Sequence, residues 1–149
     1  MTDWLVYWKT YWEKIDAPRK VEANWHSSYE QIFKQALPGD IIWVVVSGPA
    51  GSETQWRLLE YFEVRTVKMI DEAVTGYKYQ FAGENRSHKV FNPNAPNDLT
   101  PILTSLTFAS NRPIRFSGKQ IGRSLQHARE LAESDAEMLR SFAKNLPSV

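Results

Sequence analysis

The pattern of apolar and polar positions predicts several short β-strands joined by turns. Residues 4–8 are aromatic and β-branched, which favours a strand. The continuous apolar segment 41–46 is typical of a strand buried on both faces and predicts the centre of the core. Residues 56–70 carry apolar side chains on both parities and predict a long strand, and because Glu60 shares the parity of Trp56 and Phe62 we expect a bulge or bend within it. Residues 77–81 alternate aromatic and polar side chains, which predicts a half-exposed strand paired with it.

Helix signals are short and lie between or after the strand segments. A hydroxyl residue three positions before Glu30 predicts a capped helix over residues 28–36. Thr100 followed by proline predicts a second short helix, to Leu106. A capping box at residues 134–137, with apolar residues at helical spacing after it, predicts a C-terminal helix.

Two stretches carry weaker patterns. Residues 83–97 are polar and rich in turn formers, which predicts a long loop, and residues 114–116 predict one more short strand. No internal repeat or linker divides the chain, so we expect a single domain over residues 1–149. The fold class predicted is α+β: a curved, mostly antiparallel sheet of five or six strands with short helices over its ends.

Composition excludes several function classes. The chain has 149 residues with 42% hydrophobic and 23% charged side chains, which is typical of a folded domain and not of a disordered one. It has no cysteine, so disulfides and thiolate sites are excluded. The longest apolar run is far shorter than the ~20 residues of a membrane span, and no signal peptide is evident. We therefore expect a cytoplasmic protein without a membrane partner.

No pattern of residues indicates an active site. The three histidines are scattered without metal-ligand spacing, so neither a metal nor another cofactor is predicted. The glycine-containing turn at residues 47–51 lacks the Lys-Ser/Thr ending of a phosphate-binding loop. No Gly-x-Ser-x-Gly motif is present. The sequence therefore favours a binding protein over an enzyme.

The positive charge is concentrated near the C-terminus although the net charge of the whole chain is only +1. Five basic residues occur without an intervening acid, namely Arg112, Arg115, Lys119, Arg123 and Arg129. Such a stretch can bind phosphates by displacing counterions. A solvated loop with ordinary surface charge is the alternative.

Aromatic residues are unusually frequent, at 13% with six tryptophans. Rings that stack on a nucleobase contribute ~1–3 kcal/mol per base, and an extruded base needs ring walls with a few hydrogen-bonding groups. Trp25, with the imidazole and hydroxyls of residues 26–28, offers such a set. Trp43 and Trp56 come from neighbouring β segments that could face the same space. For Trp43 above all, packing in the core is the alternative.

Several of these segments, in their order along the chain, resemble the PUA-like superfamily and within it the EVE-type domains. The resemblance rests on an early Trp-containing strand, residues 25–27 opening a helix, the turn at residues 38–40 before the apolar strand, and a long strand through residues 63–64. Residues 106–114, 121–126 and 129–135 are similar to the closing segment of EVE-like modules found with HNH nucleases in modification-dependent restriction systems.

The resemblance implies a compact, bent β-barrel that holds a modified nucleobase in an aromatic-lined pocket. By position, Trp25 and Ser27 would form the first wall, with Trp43 and Trp56 on strands beside it. The basic residues from Arg112 to Arg129 would meet the phosphates. Because the chain has no His-Asn-His nuclease pattern, any cleavage would come from a separate chain.

These observations lead to a hypothesis and two alternatives. The hypothesis is a non-enzymatic reader that flips a modified DNA base into an aromatic pocket. The first alternative is an RNA-binding or RNA-modification accessory domain, since PUA-like folds also serve RNA. The second is a small-molecule-binding or interaction domain with no nucleic acid partner.

Overall fold

The computed structural model describes residues 1–13, 23–94 and 96–147. These residues form a mixed α+β fold whose strands pair mostly antiparallel, which confirms the predicted class. The strands are β1 (Asp3–Tyr7), β2 (Asn24–Ser27), β3 (Ile41–Ser47), β4 (Trp56–Glu63), β5 (Thr66–Met69), β6 (Tyr79–Ala82), β7 (Lys89–Val90) and β8 (Arg129–Glu130). The α-helices are α1 (Glu30–Gln35), α2 (Glu72–Thr75), α3 (Thr100–Leu103) and α4 (Glu133–Lys144). Short 3₁₀ segments cover Tyr11–Glu13, Asn85–Ser87 and Gly118–Leu125.

The strands form two sheets where one sheet of five or six strands was expected. The larger sheet has five strands in the order β7-β4-β3-β1-β8, and the smaller has the order β2-β6-β5. Only β1 and β3 pair in parallel among the described strands. The expected count was too low because β7 and β8 are two-residue strands, too short to leave a periodic pattern.

Strand β3 carries a separate apolar core on each of its faces, as its continuous apolar sequence predicts. Trp43 and Val45 pack in one core, which includes residues from α3, α4 and the Gly118–Leu125 segment. The alternate side chains of β3 face the second core, with Phe81 of the smaller sheet and Ile32 of α1. The larger sheet is therefore covered by α3, α4 and the 3₁₀ segment on one face and by the smaller sheet with α1 on the other.

The predicted long strand is divided between the two sheets. The register between β3 and β4 skips Leu59, which is the bulge expected from the position of Glu60 among apolar residues. After β4, the N–H of Val64 donates to the carbonyl of Asp40, and the N–H of Arg65 donates to the carbonyl of Ala82 in the smaller sheet. The chain thus passes from one sheet to the other, and β5 pairs with β6 as expected.

Several local predictions were wrong. Residues 114–116 form no strand, because the segment is held by the burial of Ile114 and, just before it, by the hydrogen bond from Arg129 to the carbonyl of Arg112. The first helix begins at Glu30, two residues later than expected, because residues 24–27 pair with β6 as a strand. The second helix ends at Leu103, before Leu106. The expected loop over residues 83–97 contains β7 and a 3₁₀ turn.

The turn before β3 is organised by the buried carboxylate of Asp40. It accepts hydrogen bonds from the backbone N–H of Thr2 (2.9 Å), the indole N–H of Trp4 (3.1 Å) and the backbone N–H of Leu37 (2.9 Å). Gly39 precedes it with a φ of 98°, a conformation that favours glycine. Asp40 therefore joins the start of β1 to the turn that enters β3.

None of the helices in the described residues is both long enough and apolar enough to cross a membrane.

Candidate functional site

An open cavity of about 1090 Å³ lies where β1 ends, beside β2 and the Gly118–Leu125 segment. Its volume lies slightly above the usual range for ligand pockets, ~300–1,000 Å³. We call it the aromatic pocket because its wall contains the rings of Tyr7, Trp8, Trp25, His26, Tyr29 and Tyr77. None of these six residues is fully buried, so their rings are accessible from the cavity.

Most of these rings are held by other rings. Tyr7 lies edge-on to Trp56 with 4.8 Å between ring centroids. Trp25 lies 5.7 Å from Phe81, its cross-strand partner on β6. Such contacts fix ring orientation before any ligand arrives, and aromatic pairs at these distances are individually stabilising.

A glycine allows the 3₁₀ segment to approach the pocket wall. A Cβ atom on Gly122 would lie 3.0 Å from Cε2 of Tyr7 and 3.5 Å from Cη2 of Trp56. These separations are shorter than, or at the limit of, ordinary van der Waals contact. The absence of a side chain at Gly122 therefore lets the segment pack directly on both rings.

The polar groups of the aromatic pocket favour a ligand that is anionic and rich in hydrogen-bonding groups. Three cationic side chains line it, those of Lys9, Lys119 and Arg123, and no acidic side chain of the described residues does. The amides of Asn24 and Gln120 also line it. Amides can both donate and accept, as nucleobase edges require.

A second cavity, of about 860 Å³, adjoins the first. We call it the basic groove because it is lined by Arg112, Arg115, Arg123 and Arg129. Among the described residues, Glu130 is the one acidic residue that lines it. The first three arginines are exposed, and within the described chain no carboxylate forms an ion pair with them. Their charge is therefore available to an anionic ligand.

The two cavities share a border. Arg123, Gln126 and Ala128 line both of them. Across the border, the ring of Tyr29 in the aromatic pocket lies 4.4 Å from the ring of His127 in the basic groove. A ligand with a flat ring and attached phosphates could therefore occupy both cavities at once.

Arg129 differs from the other arginines because it is engaged within the protein. Its guanidinium lies 3.7 Å from the ring centroid of Phe108 and donates to the carbonyl of Arg112. Burial, followed by the positive charge of Arg112, lowers the pKa of Arg129 from its ordinary value, while Asp135 opposes this change. Arg129 therefore holds the Phe108–Arg112 loop in place and presents the arginines around it.

Of the three tryptophans and one serine expected at the pocket, two residues line it and two lie in the core. Trp25 and Ser27 line the aromatic pocket, and the buried hydroxyl of Ser27 accepts a hydrogen bond from the N–H of Tyr29 at 3.1 Å. Trp56 is fully buried behind Tyr7 and donates to the carbonyl of Gly118 at 3.0 Å. Trp43 is 1% exposed in the core, where its indole donates to Asp3 at 2.8 Å.

The five basic residues expected at the phosphates all lie at the two cavities. Four line the basic groove, and Lys119 lines the aromatic pocket with Arg123. Sequence reasoning did not assign Tyr7, Trp8, Tyr29 or Tyr77 to the pocket. Their ring character was visible, but they come from segments far apart in the chain, so only the fold shows that they meet.

Among the described residues, no group of three or more His, Asp or Glu side chains is placed to hold a metal ion. The chain matches no protein-family model and has no significant match among curated proteins.

Proposed function

We propose that this protein is a non-enzymatic reader of nucleic acid that holds a flipped, modified DNA base in the aromatic pocket. One observation carries the proposal: a pocket lined by rings and cations, with no described acid, opens at Arg123 onto a groove lined by four arginines. This combination matches a nucleotide, whose base is flat and whose phosphate is anionic.

The aromatic pocket suits a base taken out of the stack. An extruded base is held between flat side chains and contacted at its edge by hydrogen-bonding groups. Trp25 and Trp8 supply rings, and Asn24 and Gln120 supply amides. The base would enter past Arg123, which borders the groove.

The basic groove suits the phosphates on either side of that base. Arg112, Arg115 and Arg123 are exposed and without carboxylate partners in the described chain. Contacts from such side chains release counterions, so binding should weaken as salt rises.

We also propose that the two sheets form the bent barrel of a PUA-like, EVE-type domain and that cleavage, where it occurs, comes from a partner nuclease. In support, β4 and β5 are consecutive strands of different sheets, and the sheets share the core around Phe62 and Phe81. The order along the chain of the segments that resemble this superfamily also supports the proposal.

Binding to defined oligonucleotides tests the reader function. DNA duplexes with a single 5-methylcytosine, 5-hydroxymethylcytosine, N4-methylcytosine or N6-methyladenine would be compared with the unmodified duplex and with structured RNA at one salt concentration. We expect one modified duplex to bind tightest. Tighter binding to structured RNA would favour the RNA-binding alternative, and no binding to any oligonucleotide would contradict both.

Variants identify the pocket. Trp25→Ala should weaken binding to the preferred duplex by about 5- to 100-fold, the equivalent of one lost base–ring contact. Trp25→Phe, which keeps a ring, should retain most of the affinity. Trp12→Ala is the matched control because Trp12 lines neither cavity. Equal affinities for the wild type and Trp25→Ala would contradict the pocket assignment.

A further inference from the structure

The basic groove contains an exposed aromatic ring in addition to its arginines. Phe116 is 42% exposed, whereas the other six phenylalanines, all among the described residues, are buried or half-buried. It lines the groove between Arg115 and the guanidinium of Arg123, which lies 5.8 Å from the ring centroid. The ring therefore contacts a cation of the groove and still offers exposed surface to a flat ligand group.

Side-chain amides line the same groove. Gln31 and Gln35 lie four residues apart on α1, so they project from the same side of the helix. Both are exposed, and in the described part of the chain no hydrogen bond engages either amide. A glutamine amide can donate and accept at the same time, which is the pattern that a nucleobase edge presents.

The groove also begins where the aromatic pocket ends. Arg123, Gln126 and Ala128 belong to the walls of both cavities. A nucleotide chain with one base in the aromatic pocket would therefore place its next nucleotide at the groove. There it would meet a ring, two amides and several cations, which together are complementary to a base with its phosphate.

We propose that the basic groove is a second base subsite, in which Phe116 stacks on the nucleobase next to the flipped one and Gln31 and Gln35 contact its edge. The protein would then recognise the sequence context of its target base as well as the base itself. This inference rests on the proposed function, because it needs a nucleic acid strand that crosses Arg123.

An abasic scan tests the inference. The probe is the tightest-binding oligonucleotide of the panel above, the unmodified one included, with an abasic site placed at each position in turn. Affinities are measured for the wild type, Phe116→Ala and Trp25→Ala. Phe116→Tyr keeps a ring at the site, and Met69→Ala is the control, since Met69 is an exposed apolar residue outside both cavities.

We expect Phe116→Ala to weaken binding to the intact probe by about 5- to 100-fold, with affinity restored in Phe116→Tyr. At one position of the probe, an abasic site should weaken binding to the wild type but not weaken binding to Phe116→Ala any further. The two changes would remove the same contact, between the ring of Phe116 and that base, and we call such a position coupled to Phe116. The probe position that is coupled to Trp25 in the same way should be next to the position coupled to Phe116. Since Phe116 is uncharged, the salt dependence of binding should stay the same in Phe116→Ala.

The two hypotheses fail in different ways. If no probe position is coupled to Phe116 while one is coupled to Trp25, the second subsite is wrong and the reader function stands. If no position is coupled to Trp25, the proposed function is wrong. Positions coupled to Phe116 and Trp25 that are not adjacent would also overturn the second subsite.

Gln31→Ala and Gln35→Ala address specificity in the same assay. Replacing the coupled base with each of the other three should change wild-type affinity, and these differences should shrink in the two variants. If the wild type binds all four neighbours equally, edge recognition by the glutamines is contradicted.

Discussion

The indole of Trp56 lies edge-on to the ring of Tyr7, with 4.8 Å between their centroids, and only Tyr7 reaches the aromatic pocket. Trp56 is fully buried and donates from its indole N–H to the carbonyl of Gly118. It therefore supports the pocket wall from behind and joins it to the 3₁₀ segment that carries Lys119 and Arg123. Its effect on a ligand passes through Tyr7.

Trp56→Ala should mainly reduce stability. We expect the free energy of unfolding to fall by about 3–5 kcal/mol, because a large buried ring is replaced by a cavity. Trp56→Phe should cost less, with a part that reflects the carbonyl of Gly118 left without its donor. Urea denaturation measures both. Trp25→Ala is the comparison, since Trp25 is only partly buried, and a larger stability loss there than in Trp56→Ala would contradict this division of roles.

The arginines of the groove should separate into two kinds when stability is measured together with the salt dependence of binding. Arg123→Gln should reduce the slope of log K against log salt concentration by about 1, as expected for a lost phosphate contact, and leave stability unchanged. Arg129→Gln should in addition lower the unfolding midpoint, because Arg129 stacks on Phe108 and binds the carbonyl of Arg112. Identical stability losses in the two variants would show that Arg129 does not hold the loop.

The carboxylate of Asp40 should be important for stability. Asp40→Ala should lower the free energy of unfolding by about 3 kcal/mol, because the buried indole N–H of Trp4 and two backbone donors lose their acceptor. Asp40→Asn keeps one acceptor oxygen and should fall in between. The control is Asp71→Ala, which removes the exposed carboxylate that accepts from the N–H of Ala73 at the start of α2 and should lower stability by only about 1 kcal/mol. Similar losses for Asp40→Ala and Asp71→Ala would contradict this account.

Stability should decline at alkaline pH through Tyr11. Burial, followed by the negative charge of Glu60, raises the pKa of Tyr11 above its ordinary value of 10.0. Below that pH the hydroxyl is neutral in both the folded and the unfolded chain. As the pH rises past it, the unfolded chain loses its proton first, so folding becomes less favourable until the folded pKa is reached.

Denaturation midpoints measured on either side of pH 10 test this linkage. The midpoint should fall more steeply in the wild type than in Tyr11→Phe, which has no proton to lose. Tyr29→Phe is the matched control because Tyr29 is 45% exposed, and it should follow the wild type. Parallel curves for the wild type and Tyr11→Phe would refute the role of Tyr11.

Local sequence patterns predicted the elements whose side chains repeat over enough residues to leave a signal. The strand at Ile41–Ser47 and the helix at Glu133–Lys144 are of this kind. Strand β7 was missed inside an expected loop, because two residues carry no period and the loop is anchored at a distance. Asn97, at the end of that loop, accepts from the N–H of Leu58 and donates to its carbonyl, and no local pattern identifies this partner.

For the candidate site, the sequence by itself determined the chemistry: an aromatic surplus, a late run of cations, and hydroxyls next to Trp25. Which rings meet was decided by tertiary structure alone. Trp56 was expected at the wall and Tyr7 was not, yet β4 places Trp56 in the core, while Tyr7 ends β1 at the cavity. The physical reason is that residue type sets what a side chain can bind, whereas exposure depends on strand pairing between segments distant in the chain.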